Sequence, residues 1–293
     1  VAADGADLPV WTAGAHLDIV VAPEFLRQYS MCGNPLDRSC YEIAVLIEPD
    51  GRGGSKLMQR IFEQGRRVFV SKPINHFHLA PSANLSLLFG GGIGVTPMIA
   101  FAHELDHAGR EFKLMYSAST LALAAFDGDF ATQPWAAKTS THYSDQGSRL
   151  DIASVVPPYA PDIHIYVCGP DAYMSAILDH ARALGYPDAA MHAEFFTLPD
   201  MPDWVNLPFE IERSNGQRLT VRADQSASDA LIAAGIPVDV KCSDGLCGVC
   251  KCTVTSGKVE HRDFVLSAAQ RETTIILCQS RALQANGVLK LDI

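Results

Sequence analysis

Apolar and polar residues alternate along three short stretches in the first third of the chain, at residues 16–21, 41–48 and 67–70. Alternation with a period of two is the pattern of strands that bury one face. Turn-forming residues separate the three stretches, and residues 56–63 have the pattern of a short helix. We therefore predict a small antiparallel β-barrel with a capping helix over residues 1–82.

After residue 84 the pattern changes to apolar strands that alternate with amphipathic helices. Strands are predicted at 85–89, 112–117, 139–143, 163–168 and 191–196, and helices at 96–107, near Leu121 and at 171–184. Thr96 and Pro97 are predicted to be the N-cap and first residue of the first helix. This alternation predicts an α/β domain over residues 83–198, with helices on both faces of a parallel sheet.

The last third begins after a proline-containing stretch, and we predict a linker at residues 199–206. Strands predicted at 209–213 and 218–221 flank Asn215-Gly216, a strong hairpin signal. A helix at 228–234 is predicted to end at Gly235, and residues 288–293 are predicted to close the sheet. These features predict a third, α+β domain of the β-grasp type over residues 207–293, so the chain is multidomain.

Four cysteines in the last third have the spacing of an iron–sulfur site. Cys242, Cys247 and Cys250 form a C-x4-C-x2-C run, and Cys278 follows at a distance. This is the plant-type ligand pattern for a [2Fe–2S] cluster. A zinc site or a disulfide pair is the alternative, but zinc sites favour two close pairs of ligands. The spacing therefore predicts these four cysteines as metal ligands.

The residues between the ligands support a tight loop. Gly245 and Gly248 are predicted where the backbone bends sharply and directs its N–H groups at sulfur. Cys252 lies two residues after the third ligand, in an alternating stretch that aims it away from the loop. We predict that Cys252 is a small buried core residue.

Composition and charge exclude several classes of protein. The formal net charge is −10 and no basic cluster is present, which argues against a nucleic-acid partner. No run of 18 apolar residues exists, so no membrane span is predicted. The remaining cysteines lack a paired framework spacing, which favours a reducing compartment, by default the cytoplasm. The chain starts at Val1, with neither an initiator Met nor a signal-peptide pattern.

Two stretches in the first third have chemistry suited to a flat, phosphorylated ligand. Arg27, Tyr29 and Ser30 offer a cation, an aromatic face and a hydroxyl. Residues 52–55, Arg-Gly-Gly-Ser, open a predicted helix, where free N–H groups favour an anion. The alternatives are a surface arginine beside a buried tyrosine and a plain turn capped by Ser55.

The middle third contains two glycine turns at predicted strand ends. Residues 90–94 join the first strand to its helix, an arrangement that holds phosphate, although it departs from the strict G-x-G-x-x-G fingerprint. Cys168-Gly169-Pro170 ends another strand, although Cys168 is equally suited to the core. After Tyr116 no Arg or Lys is present to pair with a 2′-phosphate, which favours NADH over NADPH.

Taken together, these motifs resemble the phthalate dioxygenase reductase family, and closely resemble its vanillate O-demethylase reductase members. The resemblance covers nearly the whole chain, in the family's order. The matching motifs are Arg27-x-Tyr29-Ser30, Arg52-Gly53-Gly54-Ser55, Gly91-Gly92-Ile93-Gly94-Val95-Thr96-Pro97-Met98, Cys168-Gly169-Pro170, Glu194-Phe195 and the four cluster cysteines.

The resemblance implies FMN in a barrel, NADH on the central domain and a plant-type ferredoxin at the C-terminus. It implies the reductase component of a two-component Rieske oxygenase, in which a flavin connects a two-electron donor to a one-electron acceptor. The implied FMN residues are Arg27, Gln28, Tyr29, Ser30, Ala44, Val45, Leu46, Arg52, Gly53, Gly54 and Ser55. The implied NADH residues are Gly91, Gly92, Gly94, Thr96, Pro97, Cys168, Gly169, Pro170, Glu194 and Phe195.

Within that set we expect Thr96 and Cys168 to position the nicotinamide, and Glu194 with Phe195 to border the ring-stacking site. No side chain is expected to act as an acid or base, since the protein supplies orientation and electrostatics. By the resemblance, the first barrel strand would precede Val1. The family often has basic or polar residues at the positions of Leu46 and Cys252.

Other interpretations predict different acceptors or none. A reductase of this type also serves cytochrome P450 when it is fused behind a haem domain. A redox-sensing protein would bind the same groups but oxidise NADH negligibly. FMN is preferred to FAD on the family likeness and on the lack of an evident adenosine-binding insertion. The substrate of the partner oxygenase is not encoded in the reductase.

Overall fold

The computed structural model describes residues 1–293 except 3–4, 23–24, 49–50, 52 and 197–203. The chain is multidomain, as predicted, and divides into two compact units, Val1–Glu194 and Phe195–Ile293. The predicted flavin and nucleotide domains both fall in the first unit, apart from the last residues of the range 83–198. Residues 199–203 of the predicted linker lie outside the described residues, and the three predicted boundaries remain predictions.

The first unit contains an antiparallel sheet of four strands. Its elements are β1 (Ala15–Ala22), β2 (Phe25–Ser30), helix α1 (Gly54–Ile61), β3 (Phe69–Val70) and β4 (Ile74–Asn75). The other three strands all pair antiparallel with β1. Along β1, Leu17, Ile19 and Val21 are buried whereas Val20 is exposed. The alternation in the sequence therefore buries one face of the sheet, as predicted.

The prediction of a strand at residues 41–48 is wrong. Within that stretch only Ile43 forms a β-bridge, to Met31. At its end the Glu48 N–H donates to Ser55 Oγ at 3.2 Å, so this amide bonds to the start of α1. The alternating pattern is present, but the backbone N–H and C=O groups of this stretch do not form the regular hydrogen bonds of a β-ladder.

The first unit also contains a parallel five-stranded sheet in the order β7-β6-β5-β8-β9. Its strands are β5 (Leu85–Gly91), β6 (Glu111–Ala118), β7 (Thr139–Tyr143), β8 (Ile163–Cys168) and β9 (Met191–Glu194). Its helices are α2 (Val95–His107), α3 (Asp127–Phe130), α4 (Ile152–Val155) and α5 (Asp171–Ala183). Nearly every residue of β5 and β8 is buried, because parallel strands are covered on both faces.

Three local predictions in this region need correction. The helix predicted near Leu121 is only a 3-10 turn, Leu121–Leu123, and the last strand ends at Glu194 rather than at residue 196. Helix α2 has Gly94 as its N-cap, so Thr96 lies inside the first turn. Thr96 Oγ1 instead donates to the Ile93 carbonyl at 3.0 Å, which occupies the hydroxyl that was predicted to cap the helix.

The two sheets of the first unit share one hydrophobic core. Phe77, from the segment after β4, packs its ring against Phe101 of α2 and Tyr166 of β8, with centroid distances of 5.1 and 6.0 Å. The Tyr166 hydroxyl also accepts a hydrogen bond from the Ala80 N–H at 2.8 Å. The segment between the sheets is therefore part of the core, which explains why residues 1–194 form a single compact unit.

The second unit is built on a five-stranded mixed sheet in the order β11-β10-β16-β12-β14, and β13 pairs with β15. Its strands are β10 (Phe209–Arg213), β11 (Arg218–Val221), β12 (Lys251–Ser256), β13 (Val259–Glu260), β14 (Thr274–Ile276), β15 (Arg281–Ala282) and β16 (Val288–Leu291). Its helices are α6 (Ala227–Ala233) and α7 (Ala268–Arg271).

The predicted hairpin is confirmed, since β10 and β11 pair antiparallel across Gly216, whose φ is +82°. The final strand β16 lies between β10 and β12, parallel to the first and antiparallel to the second. Helix α6 begins one residue before the prediction, because Ser226 and Asp229 form a capping box. No helix among the described residues has the length and apolar content needed to span a membrane.

Candidate flavin, nucleotide and iron–sulfur sites

The four predicted cluster cysteines form one connected group in the second unit. The Cys242 thiol is hydrogen-bonded to those of Cys247 and Cys278, and the Cys250 thiol to that of Cys278. The bonds from Cys247 and Cys278 lower the pKa of the Cys242 thiol, which favours the thiolate that binds metal. Cys242 is partly exposed, whereas the other three are buried.

This thiol set fits a binuclear cluster. Among the residues that the structure describes, no three His, Cys, Asp or Glu side chains surround a single metal position. A [2Fe–2S] cluster divides four thiolates between two irons, so its ligands are not expected to converge on one point. Cys242, Cys247, Cys250 and Cys278 are thus the residues that would hold it.

The backbone of the loop bends as predicted. Gly245 and Gly248 have φ values of +75° and +67°, and Ser243 also has a positive φ of +60°. A Cβ added to Gly245 would lie 3.3 Å from the Arg262 carbonyl oxygen and from Cα of Asp263, so only glycine fits easily. The Asp244 N–H points at Cys242 Sγ, 3.4 Å away. Such hydrogen bonds to ligand sulfur adjust the reduction potential of a cluster.

Residues outside the motif support the loop, and the sequence did not reveal them. Gln279 Nε2 donates to the Ser243 carbonyl at 2.7 Å, and the Phe264 N–H donates to the Gly245 carbonyl at 3.2 Å. The position of Gln279 directly after Cys278 was the one available signal. For Phe264 no spacing rule applies, because its contact depends on how the chain returns to the loop.

Cys252 is a core residue, as predicted. It is 8% exposed and lies opposite Ile275 in the pairing of β12 with β14. Its thiol donates to the Thr253 carbonyl at 3.6 Å. Burial raises the pKa of this thiol, which keeps it protonated.

In the first unit, two predicted FMN motifs lie together. A Cβ added to Gly54, the first residue of α1, would lie 2.4 Å from Nε of Arg27, so the guanidinium crosses the start of the helix. Gly53, the N-cap, has φ +86° and no side chain with which to cap the first N–H groups of α1. A cation and a helix N-terminus together favour an anion. Arg52, also predicted here, lies outside the described residues.

The other predicted FMN residues are distributed around this position. Tyr29 is half-buried, and burial raises the pKa of its hydroxyl while the Arg27 charge lowers it. Gln28 contacts His16 at 2.9 Å and is therefore engaged with the neighbouring strand. Ala44 and Val45 pack partly buried against the core, whereas Leu46 is 46% exposed.

A hydrogen bond joins β2 to the parallel sheet. Ser30 Oγ, at the end of β2, donates to Oε2 of Glu194, at the end of β9, at 3.0 Å. Glu194 is partly buried, and its carboxyl group accepts this bond. This burial raises the pKa of Glu194 to about 7, while the bond from Ser30 lowers it. The sequence predicted both residues separately and gave no sign of their contact.

The two predicted glycine turns lie against each other at the carboxyl edge of the parallel sheet. A Cβ added to Gly94 would lie 2.4 Å from the Cys168 carbonyl oxygen, and one added to Gly169 would lie 2.9 Å from Cα of Gly91. These turns follow β5 and β8, between which the strand order reverses. Ligands of open parallel sheets bind at that point.

The residues predicted to position the nicotinamide are buried at this edge. Thr96 is 2% exposed, and Cys168 is fully buried. Burial, together with the nearby Glu194 charge, raises the pKa of the Cys168 thiol, so this group stays protonated. Pro170 is the N-cap of α5, and Pro97 lies in the first turn of α2. Phe195 is assigned to the second unit, where its ring packs 5.0 Å from that of Phe264.

Comparisons with known proteins agree with this geometry. A family model described as a 2Fe-2S iron–sulfur cluster binding domain matches residues 210–283. A vanillate O-demethylase oxidoreductase of a Pseudomonas species is 39% identical over 297 residues, covering 99% of this chain and 93% of its own. The solved phthalate dioxygenase reductase has a TM-score of 0.69 at 34% identity, over 99% of this chain and 91% of its own.

An intact type IV self-sufficient cytochrome P450 monooxygenase is also similar, with a TM-score of 0.89 at 33% identity over 99% of this chain. The chain spans 38% of the length of that protein.

These findings define the class of protein as an oxidoreductase with flavin- and NAD-binding parts and a [2Fe–2S] domain. The chain belongs to the phthalate dioxygenase reductase family and is an NADH-dependent flavin and iron–sulfur reductase. The predicted family, enzyme class and cluster are thereby confirmed. Its homologues are reductases of oxygenase systems.

Proposed function

We propose that the protein is the reductase component of a two-component Rieske oxygenase, passing electrons from NADH to FMN, then to the [2Fe–2S] cluster and the terminal oxygenase. When bound, a flavin accepts a hydride from the nicotinamide and releases the two electrons singly to the cluster. The chain's own residues bind and orient these groups. Its free thiols suit a reducing compartment such as the cytoplasm.

The observation that carries the proposal is the bond between Ser30 and Glu194. It joins residues 164 positions apart in the sequence, one on the predicted flavin strand and the other at the carboxyl edge of the nucleotide sheet. Hydride transfer requires the flavin and nicotinamide rings to be in contact, which a shared edge between the two sheets allows. The same edge contains Cys168, which lies opposite Glu194 in the pairing of β8 with β9.

For the flavin, we propose that Arg27 and the start of α1 bind the single phosphate of FMN. The Arg27 guanidinium and the first N–H groups of α1 supply one compact anion site. FAD would need further contacts for its adenosine half, and the sequence has no evident insertion for it. Tyr29 and Ser30 would contact the ring, and Ala44, Val45 and Leu46 would complete its pocket in a barrel-like domain.

For the nucleotide, we propose that the turns at residues 91–94 and 168–170 bind NADH. Thr96 and Cys168 would position the nicotinamide, and Phe195 would border its stacking site. Because burial raises the pKa of Cys168, the thiol is neutral at physiological pH and acts by position rather than as a base. Pro97 fixes the first turn of α2, whose N-terminus faces this edge.

For the exit, we propose that the second unit, a β-grasp ferredoxin domain, delivers single electrons. Its cluster loop gathers four thiols, of which only the Cys242 residue is more than slightly exposed. Solvent exposure and hydrogen bonds to sulfur both adjust the potential of such a cluster. The relatives act with oxygenases of different substrates, so the oxygenase determines the substrate.

Reconstitution tests this proposal. The purified holoenzyme is mixed with NADH and, separately, with a Rieske oxygenase or a cytochrome P450 from the same genome, and coupled product formation is measured. We expect turnover with the Rieske protein and an extracted flavin that co-elutes with FMN. NADH oxidation at a negligible rate would instead indicate a redox sensor.

A second candidate function is the supply of electrons to cytochrome P450. The TM-score of 0.89 to the self-sufficient P450 protein favours it, since a fused module of that kind has the same fold as this chain. Product formation only with the P450 acceptor would identify this candidate as the correct one.

A further inference from the structure

Two buried hydroxyl groups at the carboxyl edge of the parallel sheet have no hydrogen-bond partner. Ser117 Oγ and the Tyr173 hydroxyl are both shielded from solvent, although each residue is partly exposed as a whole. The Ser117 hydroxyl lies near enough to lower the pKa of Tyr173, against the larger rise that burial causes. Neither oxygen, however, has a bond of acceptable geometry among the described residues.

The position of the two hydroxyls is close to the nucleotide turn. Ser117 lies opposite Gly91 in the pairing of β5 with β6. On the other side, a Cβ added to Gly91 would lie 2.8 Å from Cδ1 of Tyr173, so this ring covers the glycine. Gly91 is the last residue of β5, immediately before the turn that leads into α2. The hydroxyls therefore flank the point where the strand order of the sheet reverses.

Buried polar groups without a partner are rare, and each one in a native protein needs an explanation. At a ligand site the explanation is a ligand oxygen that completes the bond, because a hydroxyl can donate one hydrogen bond and accept two. The sequence motifs included neither Ser117 nor Tyr173. The ring of Tyr173 packs over Gly91, whereas its hydroxyl has no hydrogen-bond partner among the described residues. This hydroxyl can therefore bond to a ligand oxygen.

We propose that Ser117 and Tyr173 bind an oxygen in the central part of the pyridine dinucleotide, on its pyrophosphate or the adjoining nicotinamide-side ribose. This inference rests on the proposed NADH site and adds two specificity residues to it. A dinucleotide that crosses the turn after Gly91 would bring its phosphate and ribose oxygens close to α5 and the end of β6, the two elements that carry these hydroxyls. The pair then favours the intact dinucleotide over its adenosine half.

The test compares nucleotide binding to the holoenzyme by titration calorimetry, with NAD⁺, ADP-ribose and AMP as probes. For Tyr173→Phe we expect the Kd of NAD⁺ and ADP-ribose to rise about 3- to 10-fold, the effect of one lost hydrogen bond. AMP lacks the central ribose and second phosphate, so its Kd should stay unchanged. Tyr186→Phe is the matched control, since that hydroxyl already donates to the Pro157 carbonyl at 3.1 Å.

Binding of the same probes to Ser117→Ala is also measured. This variant tests the inference if Tyr173→Phe fails to fold. We expect the double variant to lose less affinity than the product of the two single losses, because both hydroxyls serve one ligand group. Steady-state assays should show a raised KM for NADH with kcat kept. The melting temperature without nucleotide should not fall, since no protein–protein bond is removed.

Unchanged Kd values for NAD⁺ and ADP-ribose in both single variants would overturn the inference, as would an equal loss in Tyr186→Phe. Weaker binding of AMP to the same extent would overturn the assignment to the central part of the ligand. A wild-type protein that binds no NAD⁺ would instead count against the proposed function itself. The two failures are thus distinguishable.

Discussion

The cluster loop and the proposed flavin–nucleotide edge are assembled in opposite ways. The flavin–nucleotide edge is the place where the end of β2 meets the carboxyl ends of the parallel strands. Three of the four cluster ligands lie within nine residues, between Cys242 and Cys250. At the flavin–nucleotide edge, Ser30 contacts Glu194 across 164 positions, and Gly94 closes on Cys168 from another strand. One site is determined by a short piece of backbone, the other by the packing of two sheets.

Because of this difference, a single substitution should affect cofactor binding differently at the two sites. In the cluster loop the ligands themselves carry the function, so a single ligand change removes the cofactor. At the proposed flavin–nucleotide edge many residues would share the binding, so single changes should weaken affinity by factors that reflect one contact. Substitutions at the two sites should therefore differ in the size of their effects.

The largest effect is expected for Cys247→Ser, which removes one of the four cluster ligands. We expect loss of the [2Fe–2S] absorbance and a fall of roughly 100-fold or more in cytochrome c reduction, because single electrons leave through the cluster. Ferricyanide reduction through the flavin should persist. Cys252→Ser is the matched control and should keep the cluster, since the Cys252 thiol bonds to the Thr253 carbonyl. Unchanged cytochrome c reduction by Cys247→Ser would show that the cluster is not obligatory.

Cofactor preference comes next in size. The residues after β6 offer no Arg or Lys for a 2′-phosphate, so kcat/KM for NADH should exceed that for NADPH by roughly 10- to 100-fold, the worth of a charged contact. Ser119→Arg, at an exposed position after β6, should reduce this ratio. Thr132→Arg adds the same charge elsewhere on the unit and should not. Equal kcat/KM values for both cofactors in the wild type would reject the preference.

A smaller effect is expected at the predicted phosphate site. Gly54→Ala places a Cβ 2.4 Å from Nε of Arg27, and the flexible side chain must move away from the start of α1. We expect FMN affinity to fall about 10-fold, with little change in stability, because one charge-assisted contact is lost. Equilibrium dialysis measures the affinity. Gly128→Ala, with no atom within 4 Å of its added Cβ, is the control. Unaltered FMN binding would place the phosphate elsewhere.

The last prediction is of a different kind and concerns the pH dependence of stability. Burial raises the pKa of Glu194 from 4.5 to about 7, so between these values the folded state keeps a proton that the unfolded state loses. The contribution of this group therefore lowers the free energy of unfolding as pH rises from 4.5 to 7, and is constant above. Urea unfolding at pH 5 and at pH 8 measures this contribution. Between these two pH values, the free energy of unfolding should fall less for Glu194→Gln than for the wild type.

Ser30→Ala gives a paired measurement on the same carboxyl group. The Ser30 hydroxyl lowers the pKa of Glu194, so its removal should raise that pKa and extend the pH-dependent loss of stability above pH 7. If both variants follow the wild-type curve, Glu194 does not titrate in this range.

Particular elements show what sequence reasoning can and cannot recover. The strands at Thr139–Tyr143, Ile163–Cys168, Phe209–Arg213 and Arg218–Val221 have the predicted bounds, because each is a continuous apolar or alternating run between turn residues. The stretch 41–48 has the same pattern but forms only one β-bridge, between Ile43 and Met31. Thr96 looked like a cap, but its hydroxyl bonds to Ile93 instead.

The sequence alone identified the family and predicted the cluster ligands and the two glycine turns, because these predictions depend on residue type and on spacing along the chain. Only the tertiary structure decided that Ser30 meets Glu194, that Arg27 crosses the start of α1 and that Ser117 and Tyr173 flank Gly91. These contacts join residues distant in sequence, and they exist only after sheets and helices have packed. No local pattern records such a contact, since it is set by the three-dimensional arrangement of the whole unit.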